Sequence, residues 1–343
     1  MTHFLDTNLP IIQSPMAGVQ DSKLTIAVSS AGGLGSLPCA LLSIDELRSE
    51  LDAVTQQSDK AFSANFFCHQ PPEINAIREA KWRAELKPYF SEFSIDVDSI
   101  PTETTLEPFN HQMADVLEDY KPAVVSFHFG LPPADLVSRV KSWGSTIIAS
   151  ATTVAEAQWL EANGVDGIIA QGLEAGGHRG IFLSNDLTTQ AGTFSLLPQI
   201  VKAVKLPVIA AGGIADAAGV AAALSLGASA VQVGTAYLLC NETNTSQIHR
   251  TALKSDASQH TAITNLFSGR PARSIVNRII QEIGPINQST SAFPLALMAI
   301  SAIKKQAESA GIADFSSLWC GQNATGCKEI SGAEMTRALG AKI

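Results

Sequence analysis

Residues 168–180, IIAQGLEAGGHRG, carry the pattern that decides the architecture, because a short apolar strand runs directly into a glycine-rich loop that presents a histidine. Gly176, Gly177 and Gly180 surround His178 and let the backbone approach a ligand where a Cβ atom would block it. An imidazole at the end of a strand is suited to moving a proton. By itself, the stretch fits a surface loop whose histidine has no function equally well.

Apolar runs of the same kind recur along the chain, and each is followed by a segment with helical periodicity. They span residues 10–16, 34–37, 62–67, 124–129, 146–151, 167–171, 207–211 and 230–238. Most consecutive runs lie about 21 to 28 residues apart, which is the length of one β/α unit with short loops. Eight such units close a (β/α)8 TIM barrel, which is the predicted α/β fold. A doubly wound open sheet is the competing architecture.

Two intervals between runs, and the chain after the last run, are longer than the barrel requires. We predict barrel strands 1–3 in residues 1–72 and strands 4–8 in residues 119–240. The remaining segments are predicted to be a helical insertion at 73–118, a mainly helical cap or substrate domain at 241–315, and a C-terminal segment at 316–343 that returns to the barrel. Helical patterns within the cap occur at 246–253, 260–266, 272–283 and 294–310. Because active sites of such barrels form where loops follow strands, the inserted material is expected to cover a ligand.

Composition and charge narrow the class of partner to a small molecule. The 343 residues carry a net charge of -9 without a run of lysines or arginines, which argues against binding to nucleic acid or to an anionic membrane. The first ten residues lack a basic and an apolar region, so we expect a cytoplasmic protein. The cysteines form no CxxC pair, which predicts reduced thiols and no structural metal; they are Cys39, Cys68, Cys240, Cys320 and Cys327.

Residues 217–241 contain no charged side chain and are long enough to span a bilayer. Glycine, serine and glutamine interrupt the segment, so it is interpreted as a helix, a turn and a buried strand.

Two glycine turns mark the place for a phosphate. Gly212 and Gly213 follow the seventh run, and Gly234 lies within the eighth. In barrels that bind phosphorylated ligands, the loops after strands seven and eight supply backbone N–H groups to the phosphate. A tight turn into the next helix would explain Gly212 and Gly213 alone. No GxGxxG motif follows an early strand, so a Rossmann site is not expected.

Six short motifs, in this order and spacing, resemble the nitronate monooxygenases of the bacterial class I type, formerly called 2-nitropropane dioxygenases. They are QSPMAG at 13–18, SFHFG at 126–130, AQGLEAGGHRG at 170–180, AAGGI at 210–214, QVGTA at 232–236 and LWCGQ at 318–322. The resemblance spans nearly the whole chain. It implies an FMN-dependent enzyme on a TIM barrel.

The resemblance also implies the residues of the site. His178 and His128 are the expected catalytic residues, although a core imidazole is an equal alternative for His128. The residues expected to hold FMN are Met16, Ala17, Asn65, Gln171, Gly176, Gly177, Gly212, Gly213, Gln232, Val233, Gly234 and Thr235. An ordinary core methionine is the alternative for Met16.

In that family, an alkyl nitronate reacts with dioxygen to give a carbonyl compound or oxo acid plus nitrite or nitrate, and propionate 3-nitronate is the expected substrate. His178 would remove the α-proton of a nitroalkane or hold the nitronate. Arg179 is predicted to be an outward, solvated arginine, with attraction of an anionic substrate as the alternative. Phe293 stands where many members carry tyrosine, and Lys304, Lys305 and Trp319 are expected to line or close the site, with a solvated helix as the alternative for either lysine.

Two rival functions remain open. The first is an FMN-dependent NAD(P)H:quinone reductase or enoyl-acyl carrier protein reductase on the same barrel. Gln171, where such enoyl reductases usually carry glutamate, favours the monooxygenase. The second is a flavin-free aldolase or isomerase, which would need a Schiff-base lysine or paired carboxylates at strand ends. A monomer or a homodimer is expected.

Overall fold

The computed structural model describes residues 4–102 and 104–343 and contains two β-sheets. The larger sheet runs in the order β1-β9-β8-β6-β5-β4-β3-β2 and every pair in it is parallel. The smaller one is antiparallel, in the order β10-β11-β7. The strands are β1 (Ile11–Gln13), β2 (Gly35–Pro38), β3 (Phe62–Phe67), β4 (Val124–His128), β5 (Thr146–Ala151), β6 (Gly167–Gln171), β7 (Gly177–His178), β8 (Val208–Ala211), β9 (Ala230–Val233), β10 (Thr261–Thr264) and β11 (Ala272–Ile275).

The eight parallel strands are nearly closed into a barrel. A single parallel bridge between Ile12 and Leu34 joins the two edges. At this bridge, the Leu34 N–H donates to the Ile11 carbonyl at 2.8 Å and the Gln13 N–H donates to the Leu34 carbonyl at 2.9 Å. The predicted α/β barrel is confirmed against the open sheet. The eighth strand is shorter than predicted and ends at Val233, because residues 235–237 turn into a 3₁₀ helix.

Two buried glutamine side chains extend this edge contact. The Ser36 N–H donates to Gln13 Oε1 at 3.1 Å, and Gln20 Nε2 donates to the Ser36 carbonyl at 2.8 Å. Gln20 Oε1 in turn accepts the Met16 N–H at 3.1 Å. The amide groups of Gln13 and Gln20 thus take the place of backbone groups that strand pairing would supply between β1 and β2, an arrangement we call the glutamine seam.

Helices surround the barrel, and polar caps mark where most of them begin. The side chains of Asp21, Asn75, Asn110 and Thr153 each accept a backbone N–H in the first turn of the helix that follows. The helices are α1 (Ser22–Ser30), α2 (Ile44–Gln57), α3 (Ala76–Glu92), α4 (His111–Tyr120), α5 (Ala134–Ser142), α6 (Val154–Ala162), α7 (Thr193–Ala203), α8 (Ala217–Ser225), α9 (Gln247–Leu253), α10 (Arg278–Ile283), α11 (Ala296–Ser309) and α12 (Gly332–Leu339).

Apolar side chains fill both sides of the barrel wall. The interior contains Ile12, Leu34, Ile148, Ile169 and Ile209, each at most 2% exposed. A larger cluster lies between the strands and the surrounding helices. Burial on both faces explains why the strands are continuous apolar runs rather than alternating ones.

A second hydrophobic cluster lies outside the barrel. It joins α3 to α10, α11 and Phe315, with Trp82 and Ile303 fully buried. The smaller sheet stands beside it, and two predicted helices are wrong there. Residues 261–264 form β10 instead of a helix at 260–266, and residues 272–275 form β11, so only 278–283 of the predicted helix at 272–283 is helical. Pairing of β11 with both β10 and β7 overrides the local helical periodicity.

The uncharged segment 217–241 divides as predicted into α8, a turn and β9. Within the part of the chain that the structure describes, no helix is both long and apolar enough to cross a membrane.

Contact between α1 and β2 generates a stability prediction. A Cβ atom at Gly35 would lie 2.7 Å from the Thr25 carbonyl carbon, in the backbone of α1. We expect Gly35→Ala to lower the free energy of unfolding by about 3 kcal/mol, since backbone must move to make room. Urea denaturation followed by circular dichroism measures the change.

Gly144→Ala is the control for this substitution. Gly144 has a φ of +84° and nothing within 4 Å of its Cβ position, so only backbone strain of about 1 kcal/mol is expected. Equal losses for the two variants would contradict the crowding argument.

Candidate active site

One cavity of 570 Å³ opens at the carboxyl ends of the barrel strands. Its wall includes residues at or just after the ends of β1, β3, β4, β6, β8 and β9, together with β7 and α11. All residues that were predicted to be catalytic or to hold FMN line it: Met16, Ala17, Asn65, His128, Gln171, Gly176, Gly177, His178, Gly212, Gly213, Gln232, Val233, Gly234 and Thr235. The structure therefore brings together residues that are separated by more than 200 positions in the chain.

His178 is held on the antiparallel strand β7. Its backbone pairs with Ala272 of β11, so the glycine-rich loop is anchored to the smaller sheet. The Nε2 atom of the ring lies 2.8 Å from Ser268 Oγ. The rings of Trp319 and Phe293 lie 5.4 and 5.7 Å from the imidazole, measured between centroids.

Two side chains hold the backbone around His178. His128 Nε2 lies 3.2 Å from the His178 carbonyl oxygen, and its Nδ1 lies 3.0 Å from Ser150 Oγ. Gln171 Nε2 donates to the same carbonyl at 3.0 Å, while Gln171 Oε1 accepts the Gly180 N–H at 2.8 Å. Both His128 nitrogens are thus engaged within the protein.

The electrostatic environment keeps both imidazoles neutral. Burial, together with the neighbouring His128 and Arg270, lowers the pKa of His178 to about 3. Burial also lowers the pKa of His128 to about 3, with the hydrogen bond to the His178 carbonyl opposing the shift. At neutral pH His178 is therefore a neutral group with one N–H and one lone pair on the ring.

Arg179 is fully buried, so the prediction of an outward, solvated arginine is wrong. Its guanidinium donates to the Gly172 carbonyl at 2.7 Å, to the Gln171 carbonyl at 2.8 Å and to Gln190 Oε1. Arg273 donates to the next carbonyl, that of Leu173, at 2.9 and 3.0 Å. Arg179 is buried because the carbonyl groups that accept its hydrogen bonds are themselves buried.

The glycine positions of the cavity wall require glycine for different reasons. Gly212 and Gly213 have φ values of +117° and +72°, which other residues rarely adopt. A Cβ atom at Gly176 would lie 2.5 Å from the Gly321 N atom, because the LWCGQ segment packs directly on the loop.

The side-chain amide of Asn65 is oriented by one of its N–H groups, which donates to Ser126 Oγ at 2.9 Å. The amide oxygen of Asn65 takes no part in this hydrogen bond.

Lys304 and Trp319 line the cavity, whereas Lys305 is exposed on α11. Among the described residues of the wall, Lys304 is the one lysine or arginine. Its Nζ atom lies 3.3 Å from Ser317 Oγ and 3.9 Å from a Glu308 carboxylate oxygen. A positive charge is therefore available to an anionic ligand.

Several residues of the site were not predicted from the sequence: Ser150, His249, Phe267, Ser268, Arg270 and Arg273. Ser150, His249 and Phe267 line the cavity, and the other three lie directly behind it. The run SGRPARS at 268–274, in which one arginine lies between a glycine and a proline and a second follows the proline, is the signal that could have found the last three.

An α/β barrel with one deep cavity at the carboxyl ends of its strands, lined by histidines and glycine turns, defines a barrel enzyme. A family profile described as nitronate monooxygenase matches residues 1–341. The chain is 41% identical to the nitronate monooxygenase of Paraburkholderia phytofirmans over 340 residues, covering 98% of this chain and 92% of the relative. It is 40% identical to that of Pseudomonas aeruginosa, covering 98% and 97%.

Solved structures agree. Nitroalkane oxidase from Streptomyces ansochromogenes superposes with a TM-score of 0.92 at 34% identity, covering 100% of this chain and 97% of that one. FabK from Thermotoga maritima superposes with a TM-score of 0.75 at 26% identity, covering 99% and 94%. The chain belongs to the nitronate monooxygenase family and is therefore an enzyme, a flavin oxidoreductase on a barrel fold.

Buried histidines beside the cavity generate a pH prediction. His69 and His249 are 3% and 4% exposed, and burial lowers the pKa of each to about 4. Between pH 6.5 and 4 the unfolded chain binds protons that the folded protein does not, so the stability is present above pH 6.5 and is lost as the pH falls. We expect each imidazole to contribute about 1 to 2 kcal/mol of this loss at pH 5, measured by urea denaturation at pH 7.5 and 5.0.

His69→Phe, which keeps a ring against Phe293, isolates one of the two groups. Its loss of stability between the two pH values should be smaller than that of the original protein. An unchanged loss would show that His69 is protonated in the folded state.

Proposed function

We propose that the protein binds FMN in this cavity and oxidises an alkyl nitronate with dioxygen. The products are a carbonyl compound or oxo acid plus nitrite or nitrate. The proposal rests on one observation: two glycine turns and His178 line the same cavity. When bound, FMN supplies the electron-accepting chemistry, which the side chains of this site do not offer.

The phosphate end of FMN fits the turns after β8 and β9. Gly212 and Gly213 have backbone conformations in which N–H groups can face an anion, and α8 begins just beyond them. Gly234 and Thr235 lie on the neighbouring strand end, and Gln232 and Val233 lead into it. A volume of 570 Å³ is in the range of sites that enclose a ligand of this size.

The ring system would be held by side chains from the first, third and sixth strands. Met16 and Ala17 form the wall after β1, where the glutamine seam fixes the Met16 N–H. Asn65 offers its amide oxygen, since its nitrogen donates to Ser126. Gln171 keeps one N–H of its amide beyond the bonds to His178 and Gly180, and Gly176 and Gly177 let the ring approach the backbone.

We assign His178 to contact with the nitronate. The neutral imidazole lines the cavity and faces aromatic rings that exclude water. His128 acts through its hydrogen bond to the His178 carbonyl, which fixes the position of the loop. Phe293 offers no hydroxyl, and the polar contacts that we assign to the substrate are those with His178 and Lys304.

The proposed substrate is propionate 3-nitronate. A nitronate that also carries a carboxylate has two anionic ends, and Lys304 is the cation of the described cavity wall that can meet the second one. Its exposed fraction of 38% leaves the ammonium group accessible.

The segments 73–118 and 241–315 are proposed to cover this cavity as a cap. Support comes from Phe267, Phe293 and α11, which line the cavity, and from α3, which packs with α11 in the second cluster. With this assignment, residues 1–72 and 119–240 belong to the barrel and residues 316–343 return to it. A monomer or homodimer in the cytoplasm stays a prediction.

The cofactor and reaction are tested with the purified protein. We expect bound FMN, rapid bleaching of its absorbance by propionate 3-nitronate without oxygen, and slow bleaching by NADPH. Rapid bleaching by NADPH but not by the nitronate would contradict the proposal and favour a reductase. A colourless protein that does not take up FMN would leave a flavin-free barrel.

His178→Asn should retain FMN and lose about 10²-fold or more in turnover of the nitronate. The control is His111→Asn, which changes an imidazole that is 69% exposed on α4 and should keep full activity.

The substrate assignment is tested with Lys304→Met. We expect kcat/KM for propionate 3-nitronate to fall about 10- to 100-fold, because one hydrogen bond to a charged group is lost. The value for propyl-1-nitronate, which has no carboxylate, should change less than about twofold. Lys305→Met is the matched control on the same helix, and equal losses for both nitronates with Lys304→Met would contradict the role.

A further inference from the structure

Ser268 touches His178 from behind the cavity wall. It is 1% exposed, and its Oγ lies 2.8 Å from His178 Nε2. The same oxygen accepts the Arg270 N–H at 3.3 Å and lies 3.3 Å from the Arg270 carbonyl oxygen. The serine hydroxyl therefore has one proton and two possible acceptors, the imidazole nitrogen and a backbone carbonyl.

Distance decides between these acceptors. Bonds from a hydroxyl to an oxygen are formed at about 2.5 to 3.0 Å, so 3.3 Å to the Arg270 carbonyl is long. The 2.8 Å separation from His178 Nε2 is that of a well-formed hydrogen bond. Because the contact with the imidazole is the shortest one that the hydroxyl makes, it favours donation to Nε2 over donation to the Arg270 carbonyl.

His128 shows the same arrangement with its proton positions determined. The His178 carbonyl can only accept, so His128 Nε2 must carry the hydrogen that it receives at 3.2 Å. The neutral ring then has its lone pair on Nδ1, and Ser150 Oγ, 3.0 Å away, donates to it. In both rings a buried serine hydroxyl faces one nitrogen, and in His128 the other nitrogen is the N–H donor.

We propose that Ser268 is a positioning residue that donates to His178 Nε2 and thereby fixes the neutral tautomer with its hydrogen on Nδ1. This inference rests on the proposed function, in which His178 meets the nitronate. Within residues 4–102 and 104–343, Nδ1 has no hydrogen-bond partner, and His178 lines the cavity.

The tautomer decides what His178 can do. A ring with hydrogen on Nδ1 and an engaged Nε2 presents a donor to the cavity, which suits an oxygen of an anionic nitronate. It presents no free lone pair for removing a proton from carbon. The guanidinium of Arg270, which lies 4.0 Å from the Phe129 ring centroid behind the site, opposes a second proton on the imidazole.

Nitrogen-15 NMR of the FMN-loaded protein, labelled at its seven histidines, tests the tautomer without reference to activity. His178→Asn assigns the signal by its loss. We expect Nδ1 of His178 at the shift of a protonated nitrogen and Nε2 at that of an unprotonated one. The reverse pattern would overturn the proposal, whether or not the protein oxidises nitronates.

Ser268→Ala tests whether the serine sets the tautomer. The His178 signals should move toward the form with hydrogen on Nε2. The value of kcat/KM for propionate 3-nitronate should fall about tenfold, which is a smaller loss than is expected when His178 itself is replaced. An unchanged tautomer would show that Ser268 does not set it.

Ser268→Thr keeps the hydroxyl and should restore the signals. Ser63→Ala is the matched control: Ser63 is buried in β3, its Oγ has no hydrogen-bond partner among the described residues, and it does not line the cavity. Neither the His178 signals nor kcat/KM should change in this variant. Failure of the nitronate to bleach FMN in the original protein would reject the proposed function and leave the NMR result standing.

Discussion

Three consecutive backbone carbonyls at the end of the sixth barrel strand, those of Gln171, Gly172 and Leu173, need hydrogen-bond donors where strand pairing stops. Arg179 reaches the first two and Arg273 the third. The planar guanidinium group donates to two acceptors at once, which a lysine cannot reproduce. The glycine-rich loop can leave the barrel and pair with the smaller sheet because these buried groups are satisfied.

Together with Arg270, these two arginines give the surroundings of the loop an excess of positive charge. Three guanidinium groups, those of Arg179, Arg270 and Arg273, interact electrostatically with two carboxylates, those of Glu156 and Glu174, so one positive charge is in excess. Both carboxylates are engaged by backbone N–H groups, of Phe182 and Thr193 among others, rather than by close ion pairs. An environment of this sign keeps neighbouring imidazoles neutral and attracts anions.

Most of the predicted residues of the cavity wall followed from the family resemblance, and they meet because the carboxyl ends of parallel strands converge. Local pattern was enough for the barrel, because parallel strands bury both faces. It failed at 260–266 and 272–283, where helical periodicity in the sequence gave way to pairing of β10 with β11 and of β11 with the distant two-residue strand β7. Arg179 was assigned to solvent because its partners are backbone carbonyls, which leave no mark in the sequence. Ser268 was missed for a different reason: the run SGRPARS marks its segment, but only the folded chain brings its hydroxyl to His178.

The glutamine seam has a consequence for how this enzyme can change. Gln13 and Gln20 complete the barrel edge and also fix the backbone of Met16 in the cavity wall. A substitution at either position alters closure of the barrel and the shape of the site together, so natural variation or engineering cannot adjust one without the other. The part of the wall formed by Phe293 and α11 lies outside the barrel and is free of this coupling. Divergence of substrate range within such a barrel should therefore accumulate on that side.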